Sequence, residues 1–123
     1  MKLTRAEEQV MQYLWQLEEG LVQDVRDCFK DPKPSRTTVS TIIRILESKG
    51  YIAHKANGRG FIYYPVILKE EYSKHQLFGI MKDYFNNSFS SMASFFARES
   101  NLSVQEMESL LEEMKQEIGD QQK

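Results

Sequence analysis

A tight β-hairpin at Asn57-Gly58 restricts the possible folds of this chain more than any other feature. Two short runs rich in β-branched and aromatic residues, 51–56 and 61–64, flank this dipeptide. Asn-Gly between two such runs is the strongest short-range hairpin signal, because both residues accept positive φ. Pro65 has no amide hydrogen to donate, so it ends the second strand. The fold must therefore contain a two-stranded ribbon in the middle of the chain.

Helical patterns fill the sequence before the hairpin. Thr4 and Glu7 have the spacing of a capping box, apolar residues recur at helical spacing over 10–17, and Gly20 is the expected stop. A shorter second helix follows this glycine. The two prolines of the segment DPKPS, residues 31–35, then break the helical pattern.

The third predicted helix begins after Ser35, a suitable N-cap, and has two different faces. At about 100° per residue, one side collects the apolar residues Val39, Ile42, Ile43 and Leu46. The opposite side carries hydroxyl groups and an arginine. Hydroxyl residues are poor helix formers, and ordinary solvated helix faces favour Glu, Lys and Gln. The outer face is therefore expected to contact a partner, the alternative being a solvated surface.

Three helices followed by a basic-tipped hairpin is the element order of a winged helix-turn-helix domain. We therefore predict a mainly α fold with a small β-hairpin wing. Residues 1–68 would form the winged-helix DNA-binding domain, and residues 69–123 a helical dimerisation domain. In this arrangement the third helix enters the major groove of double-stranded DNA and the wing lies along the phosphates.

The charge distribution agrees with a DNA-binding centre, although the net charge of the whole chain is −2. Residues 33–60 hold six basic side chains against Glu47 alone, whereas residues 69–123 have ten acidic and six basic side chains. A local basic patch can attract phosphates despite an acidic remainder.

Short hydroxyl side chains let a helix approach the groove closely, threonine methyls can pack on thymine methyls, and arginine can bind guanine or phosphate. Basic residues near the tip of the wing would bind phosphates. The competing interpretation is a winged helix that docks a protein instead of DNA. The predicted DNA-binding residues are Arg36, Thr37, Thr38, Ser40, Thr41, Arg44, Lys55 and Arg59.

The C-terminal segment carries many large apolar side chains in about fifty residues, too few to bury them well alone. Its last part has apolar residues at alternating steps of three and four, the spacing of paired helices. A second copy of the chain is the favoured partner, and an intramolecular helical cap is the alternative. The predicted dimerisation residues are Leu77, Met81, Tyr84, Phe85, Phe89, Met92, Phe96, Met107, Leu110, Leu111 and Met114.

Enzymatic and metal-binding functions find no support in the sequence. His54 and His75 are far apart in different elements, and a single cysteine, Cys28, excludes a multi-cysteine metal site. Cys28 has apolar neighbours and is interpreted as a small core residue. There is no phosphate loop or nucleophile elbow, so neither catalysis nor a cofactor is expected. No apolar run predicts membrane insertion and no signal peptide is recognised, so a cytoplasmic location is the default.

Three segments, LTRAEEQVMQYLW (3–15), TTVSTIIRILESKGYI (37–52) and GRGFIYYPV (58–66), resemble the penicillinase-repressor family. This family comprises bacterial winged-helix repressors of β-lactam resistance and their copper-responsive relatives. The resemblance is strongest over residues 3–68. It implies a homodimeric transcriptional repressor of antibiotic-resistance or stress genes that binds an inverted-repeat operator. The reading-helix residues from Arg36 to Arg44 and Arg59 on the wing would then contact DNA.

Two departures from the family pattern concern the release of the repressor from DNA. The β-lactam branch is inactivated when a membrane sensor protease triggers cleavage of an Asn-Phe bond, and the matching place here reads Phe95-Phe96. This pair is the candidate proteolytic site, and a different protease would have to cut it. The copper branch ends in a cysteine cluster, which this C-terminus lacks. Copper sensing through such a cluster is therefore not expected.

Overall fold

The computed structural model describes residues 2–101, 103, 105, 106, 108, 109, 112, 113, 115 and 116. The chain divides into two compact units, Met1–His75 and Gln76–Lys123. The domain boundary placed after residue 68 stays a prediction. The elements in chain order are α1 (Arg5–Leu17), α2 (Val22–Asp27), α3 (Arg36–Ser48), β1 (Ile52–Asn57), β2 (Gly60–Pro65), α4 (Lys69–Tyr84) and α5 (Phe89–Glu99).

The core of the first unit is formed by the apolar stripes of α1 and α3, closed by α2, the hairpin and the start of α4. The predicted stripe of α3 is confirmed, since Val39, Ile43 and Leu46 are fully buried and Ile42 is half-buried. Burial of these side chains holds the opposite face of α3 toward solvent. The core residues are Val10, Met11, Leu14, Val25, Val39, Ile43, Leu46, Tyr51, Ile52, Tyr63 and Tyr72.

The capping box predicted at the start of α1 is confirmed and has a further partner. The Thr4 amide donates to Glu7 Oε1 (2.8 Å), and the Glu7 amide donates to Thr4 Oγ1 (3.2 Å). Glu7 is only 5% exposed, and Lys49, the C-cap of α3, donates to both carboxylate oxygens (3.1 and 2.9 Å). One carboxylate thus joins the beginning of α1 to the end of α3.

Gly20 does not end the first helix, which corrects the sequence interpretation. Helix α1 ends at Leu17, and the left-handed residue after it is Glu18, with φ 71°. Gly20 instead exchanges two backbone hydrogen bonds with Tyr63 of β2 (2.9 and 2.8 Å). A Cβ at Gly20 would lie 3.2 Å from the Cβ of Asp24. The absence of a side chain at Gly20 therefore lets its backbone lie close to Asp24 while it pairs with β2.

The predicted hairpin is confirmed, but its turn is shifted by one residue. Asn57 pairs with Gly60, so the two loop residues are Gly58 and Arg59 instead of Asn57 and Gly58. Gly58 has φ +63°, and Arg59 does not have positive φ. Positive φ at the first loop residue alone is the pattern of a type II′ turn, which takes glycine there. The shift places Arg59 at the tip of the wing.

The connection after the hairpin is attached to α1. The indole nitrogen of Trp15 donates to the carbonyl of Ile67 (2.8 Å), and its ring lies 5.5 Å from that of Tyr72. The Tyr72 hydroxyl donates to the carboxylate of Glu8 (2.8 Å). These contacts fix the first turn of α4 against α1.

In the second unit the chain leaves the helical conformation at Asn86-Asn87, between the end of α4 and the start of α5. Both asparagines have positive φ (52° and 60°), a conformation that asparagine tolerates better than most residues. Ser88 then caps α5 by accepting from the Ser91 amide (3.2 Å). Three aromatic rings lie close together in this unit, at centroid separations of 5.5 to 6.4 Å, and belong to Phe85, Phe95 and Phe96.

We predict that Glu7→Gln destabilises the protein at neutral pH by roughly 1–2 kcal/mol, since a buried charge-assisted bond to Lys49 is lost. The Thr4 amide and Lys49 hold the pKa of Glu7 below its ordinary value of 4.5. The unfolded chain therefore takes up this proton first, and the stabilisation disappears as pH falls through the lowered pKa.

Urea unfolding of the wild type and Glu7→Gln from pH 7 to pH 3 measures this difference in the free energy of unfolding. The gap should close below about pH 4.5, the ordinary glutamate pKa. Glu18→Gln is the matched control, because Glu18 is exposed. A gap of constant size across this range would exclude the ionised carboxylate as the cause.

Candidate nucleic-acid interface

The outer face of α3 lines an open groove of about 370 Å³. Thr37, Thr41 and Arg44 are exposed on this face and Ser40 is half-buried. Their position follows from the burial of the opposite stripe, because side chains half a helical turn away must face solvent. The complete lining is Val22, Arg36, Thr37, Ser40, Thr41 and Arg44.

Two hydroxyl groups of α3 already have partners, which defines what they can offer a ligand. Thr41 Oγ1 donates to the Thr37 carbonyl (2.9 Å), so its oxygen lone pairs and its methyl group remain available. The Thr38 hydroxyl lies 2.9 Å from Ser35 Oγ, within the N-cap of the helix. Thr38 is exposed but does not line the groove. Thr41 can therefore offer its oxygen and methyl group to a ligand in the groove, whereas Thr38 contributes to the N-cap of the helix.

The wing places one of its two faces next to α3. His54 of β1 bonds through Nδ1 to the carboxylate of Glu47 in α3. Its ring contacts the rings of Phe61 and Tyr63, with centroids 4.7 and 5.8 Å apart. His54 is thus a strand residue, as its sequence position indicated. It connects the wing to the helix that carries the groove.

A second groove, of about 340 Å³, lies where α2, α3 and the hairpin meet. It shares Val22 and Arg36 with the first, so the two grooves adjoin. Phe61 borders it and is 49% exposed, although it is a large aromatic residue. The full lining consists of Leu21, Val22, Arg36, Asn57, Gly60, Phe61 and Tyr63.

Val22 and Phe61 are among the groove-lining residues that the sequence analysis did not include in the predicted DNA-binding set. Strand alternation could have found Phe61, because residues two apart share a face and Tyr63 is a core residue. Val22 carries no comparable signal, since its place in the groove depends on how α2 packs across α3.

Three of the six basic residues between 33 and 60 are engaged inside the protein. Lys33 Nζ donates to two carbonyl oxygens at and just beyond the end of α2 (3.0 and 2.6 Å). Lys49 is paired with Glu7, and Lys55 Nζ lies 2.9 Å from a carboxylate oxygen of Glu19. Carboxylates therefore neutralise Lys49 and Lys55, whereas Lys33 keeps its charge because its partners are neutral carbonyls.

The other three are Arg36, Arg44 and Arg59, all of which are exposed. Within the described part of the chain, none of them makes an ion pair or a side-chain hydrogen bond. Arg36 and Arg44 border the α3 groove, and Arg59 occupies the tip of the wing. Arg36 and Arg44 thus add unpaired positive charge to the face that presents the hydroxyl groups.

The predicted dimerisation residues differ in exposure within the single chain. Tyr84 is 78% exposed, and Leu77 and Phe96 are also exposed, whereas Met92 is 1% exposed and cannot be covered much further by a partner. Phe95-Phe96, the candidate proteolytic site, lies inside the helix α5. Four further predicted positions fall outside the described residues, namely Met107, Leu110, Leu111 and Met114.

The described residues contain no cluster of His, Cys, Asp or Glu that could hold a metal ion. Cys28 is half-buried instead of being part of the core, since it is the C-cap of the short α2. Its thiol donates to the Asp24 carbonyl (3.4 Å), and burial raises its pKa. No helix in this part of the chain combines the length and apolarity needed to span a bilayer.

Comparison with known proteins agrees with this geometry. The oxidized form of MarR from E. coli, a winged-helix protein, superimposes with a TM-score of 0.51 at 14% identity, over 95% of this chain and 76% of that one. The penicillinase repressor of Bacillus licheniformis is 27% identical over 118 residues, covering 93% of this chain and 92% of the relative. The family model described as penicillinase repressor matches residues 3–116. The chain therefore has a winged-helix fold and belongs to the penicillinase repressor family, a family of transcriptional repressors.

Proposed function

We propose that this protein is a homodimeric repressor that binds an inverted-repeat operator in double-stranded DNA. The observation that carries the proposal is the position of two exposed arginines, Arg36 and Arg44, on the hydroxyl-lined groove of α3, together with exposed Arg59 at the tip of the wing. Within the described residues none of the three forms an ion pair. In protein–DNA complexes, exposed arginines bind phosphates, and side chains on a helix that enters the major groove contact the edges of the bases. Membership in a family of transcriptional repressors supports the same function.

In this proposal α3 lies in the major groove and different residues perform different tasks. Thr37 and Thr41 pack their methyl groups on thymine, and the lone pairs of Thr41 accept from amino groups of bases. Ser40 permits close approach, and Arg44 binds guanine. Thr38 stabilises the start of α3 and contacts the sugar-phosphate backbone of DNA.

Arg36 and Arg59 bind phosphates on either side of the reading helix, and they supply the part of the affinity that depends on salt. Val22 and Phe61 contribute apolar surface beside them. Lys55 was predicted to bind phosphate as well, but in the free protein its ammonium is paired with Glu19.

The second unit supplies the two-fold contact in this proposal. Leu77, Tyr84 and Phe96 expose apolar surface there. A two-fold dimer would place two α3 helices about one turn of DNA apart, roughly 34–36 Å. Cleavage at Phe95-Phe96 by a protease under control of a membrane sensor would release the operator. It would require local unfolding of α5, since both residues lie within the helix. The regulated genes would be antibiotic-resistance or stress genes, repressed in the cytoplasm.

Selection of bound sequences from a random duplex pool, near physiological salt, tests this function. The expected result is an enriched inverted repeat with half-sites about one helical turn apart. Such a repeat would establish both α3 as the reading helix and the two-fold dimer. Enrichment of no sequence by a folded protein would refute the proposal and make the α3 face a candidate protein-docking surface.

Arg44→Ala is expected to weaken binding to the selected operator by about 1–3 kcal/mol and to relax the preference for one base pair. Binding to unrelated DNA should change much less, because Arg44 is assigned to a base. Arg98→Ala is the control, since Arg98 is an exposed arginine of α5 in the second unit. Titrations with operator and random duplexes measure both affinities. Equal losses on the two duplexes would reassign Arg44 to a phosphate.

Arg59→Ala is expected to weaken binding to every sequence and to lower the slope of log Kobs against log salt by about one unit in magnitude. The reason is that a phosphate contact releases counterions whatever the base sequence. Titrations at several salt concentrations, on operator and random duplexes, give this slope. An unchanged slope would remove Arg59 from the phosphate contacts.

A further inference from the structure

The two basic side chains of the wing have different surroundings. Arg59 at the tip is exposed, and no ion pair involves it in the described residues. Lys55 Nζ lies 2.9 Å from Glu19 Oε2, with the lysine and glutamate side chains 58% and 48% exposed. An ion pair with this exposure contributes little to folding, because water and salt screen it. Its main consequence therefore concerns what the ammonium can bind.

Glu19 is held next to the wing by backbone hydrogen bonds. The following residue, Gly20, exchanges two hydrogen bonds with Tyr63 on the edge of β2. Lys55 lies on β1, the other strand, opposite Ile62 of β2. The ion pair therefore crosses β2. Because the backbone beside Glu19 is fixed, its carboxylate stays within reach of Lys55.

Lys55 also lies on the far side of the wing from α3. Side chains alternate along a strand, so Lys55 and its neighbour His54 belong to opposite faces. His54 bonds to Glu47 of α3, which identifies its face as the one toward the reading helix. Lys55 is thus directed away from α3 and toward the segment that carries Glu19.

We infer that Glu19 sets the strength of DNA binding by retaining the ammonium of Lys55 and keeping it from the phosphates. This inference rests on the proposed function. The carboxylate of Glu19 already neutralises the ammonium of Lys55 at hydrogen-bond distance. A phosphate that approached Lys55 would either displace this carboxylate or lie beside it, and in both cases the negative charge of Glu19 would repel the phosphate. The wing of the wild type accordingly makes one phosphate contact through Arg59, and removal of the Glu19 charge adds a second through Lys55.

The test measures affinity for random-sequence duplex DNA at several salt concentrations. Glu19→Gln should bind several-fold tighter than the wild type at low salt, with a slope of log Kobs against log salt that is steeper by about 0.9. Glu18→Gln is the matched control. It removes the same charge one residue away, and Glu18 takes part in none of the ion pairs among the described residues. It should leave the slope unchanged.

Lys55→Ala completes a double-mutant cycle. In the wild-type background it should leave the salt slope unchanged, and in the Glu19→Gln background it should abolish the gain in slope. Thermal unfolding of each variant checks that the fold is retained. A lower slope for Lys55→Ala alone, or equal gains for Glu18→Gln and Glu19→Gln, would overturn the inference while DNA binding itself remained. Absence of binding to any duplex by the folded wild type would instead refute the proposed function and the inference with it.

Discussion

The burial of one face of α3 is the constraint on which the rest of this structure depends. Val39, Ile43 and Leu46 are completely removed from water, and each such side chain contributes roughly 1.5–3 kcal/mol relative to exposure. This gain determines the rotation of the helix about its axis. The hydroxyl-rich face is thereby presented outward, although its residues favour helix formation less than Glu, Lys or Gln. The core thus orients the candidate binding face.

The wing is positioned by contacts at both of its sides. Gly20 pairs with Tyr63 through two backbone hydrogen bonds, and His54 is bonded to Glu47 near the end of α3. A two-stranded hairpin is marginally stable by itself, so attachments of this kind are needed to orient it. They bring Phe61 beside the start of α3 and leave the tip exposed. These attachments consequently determine where the exposed tip lies relative to α3.

Local signals in the sequence were sufficient for most of the fold. The capping box at Thr4, the N-cap at Ser35 and the hairpin after α3 each depend on a few neighbouring residues, and each is present in the structure. Features that depend on packing between elements were not predictable in this way. Gly20 resembled a helix stop, yet it serves the approach of two backbone segments.

In the candidate site, too, some features follow from local sequence and others depend on distant residues. The outward face of α3 follows from helical periodicity alone. Ion pairing does not, since Glu7 and Lys49 are 42 residues apart and Glu19 lies far from Lys55 in the chain. A count of basic residues therefore overestimates the charge available to DNA. Apart from Lys33, the basic residues of this region without a carboxylate partner are three arginines, whose guanidinium groups suit phosphates and guanine better than an ammonium does. The net charge of −2 is consistent with this arrangement, because phosphates several ångströms from the surface respond to nearby charges and are screened from distant ones.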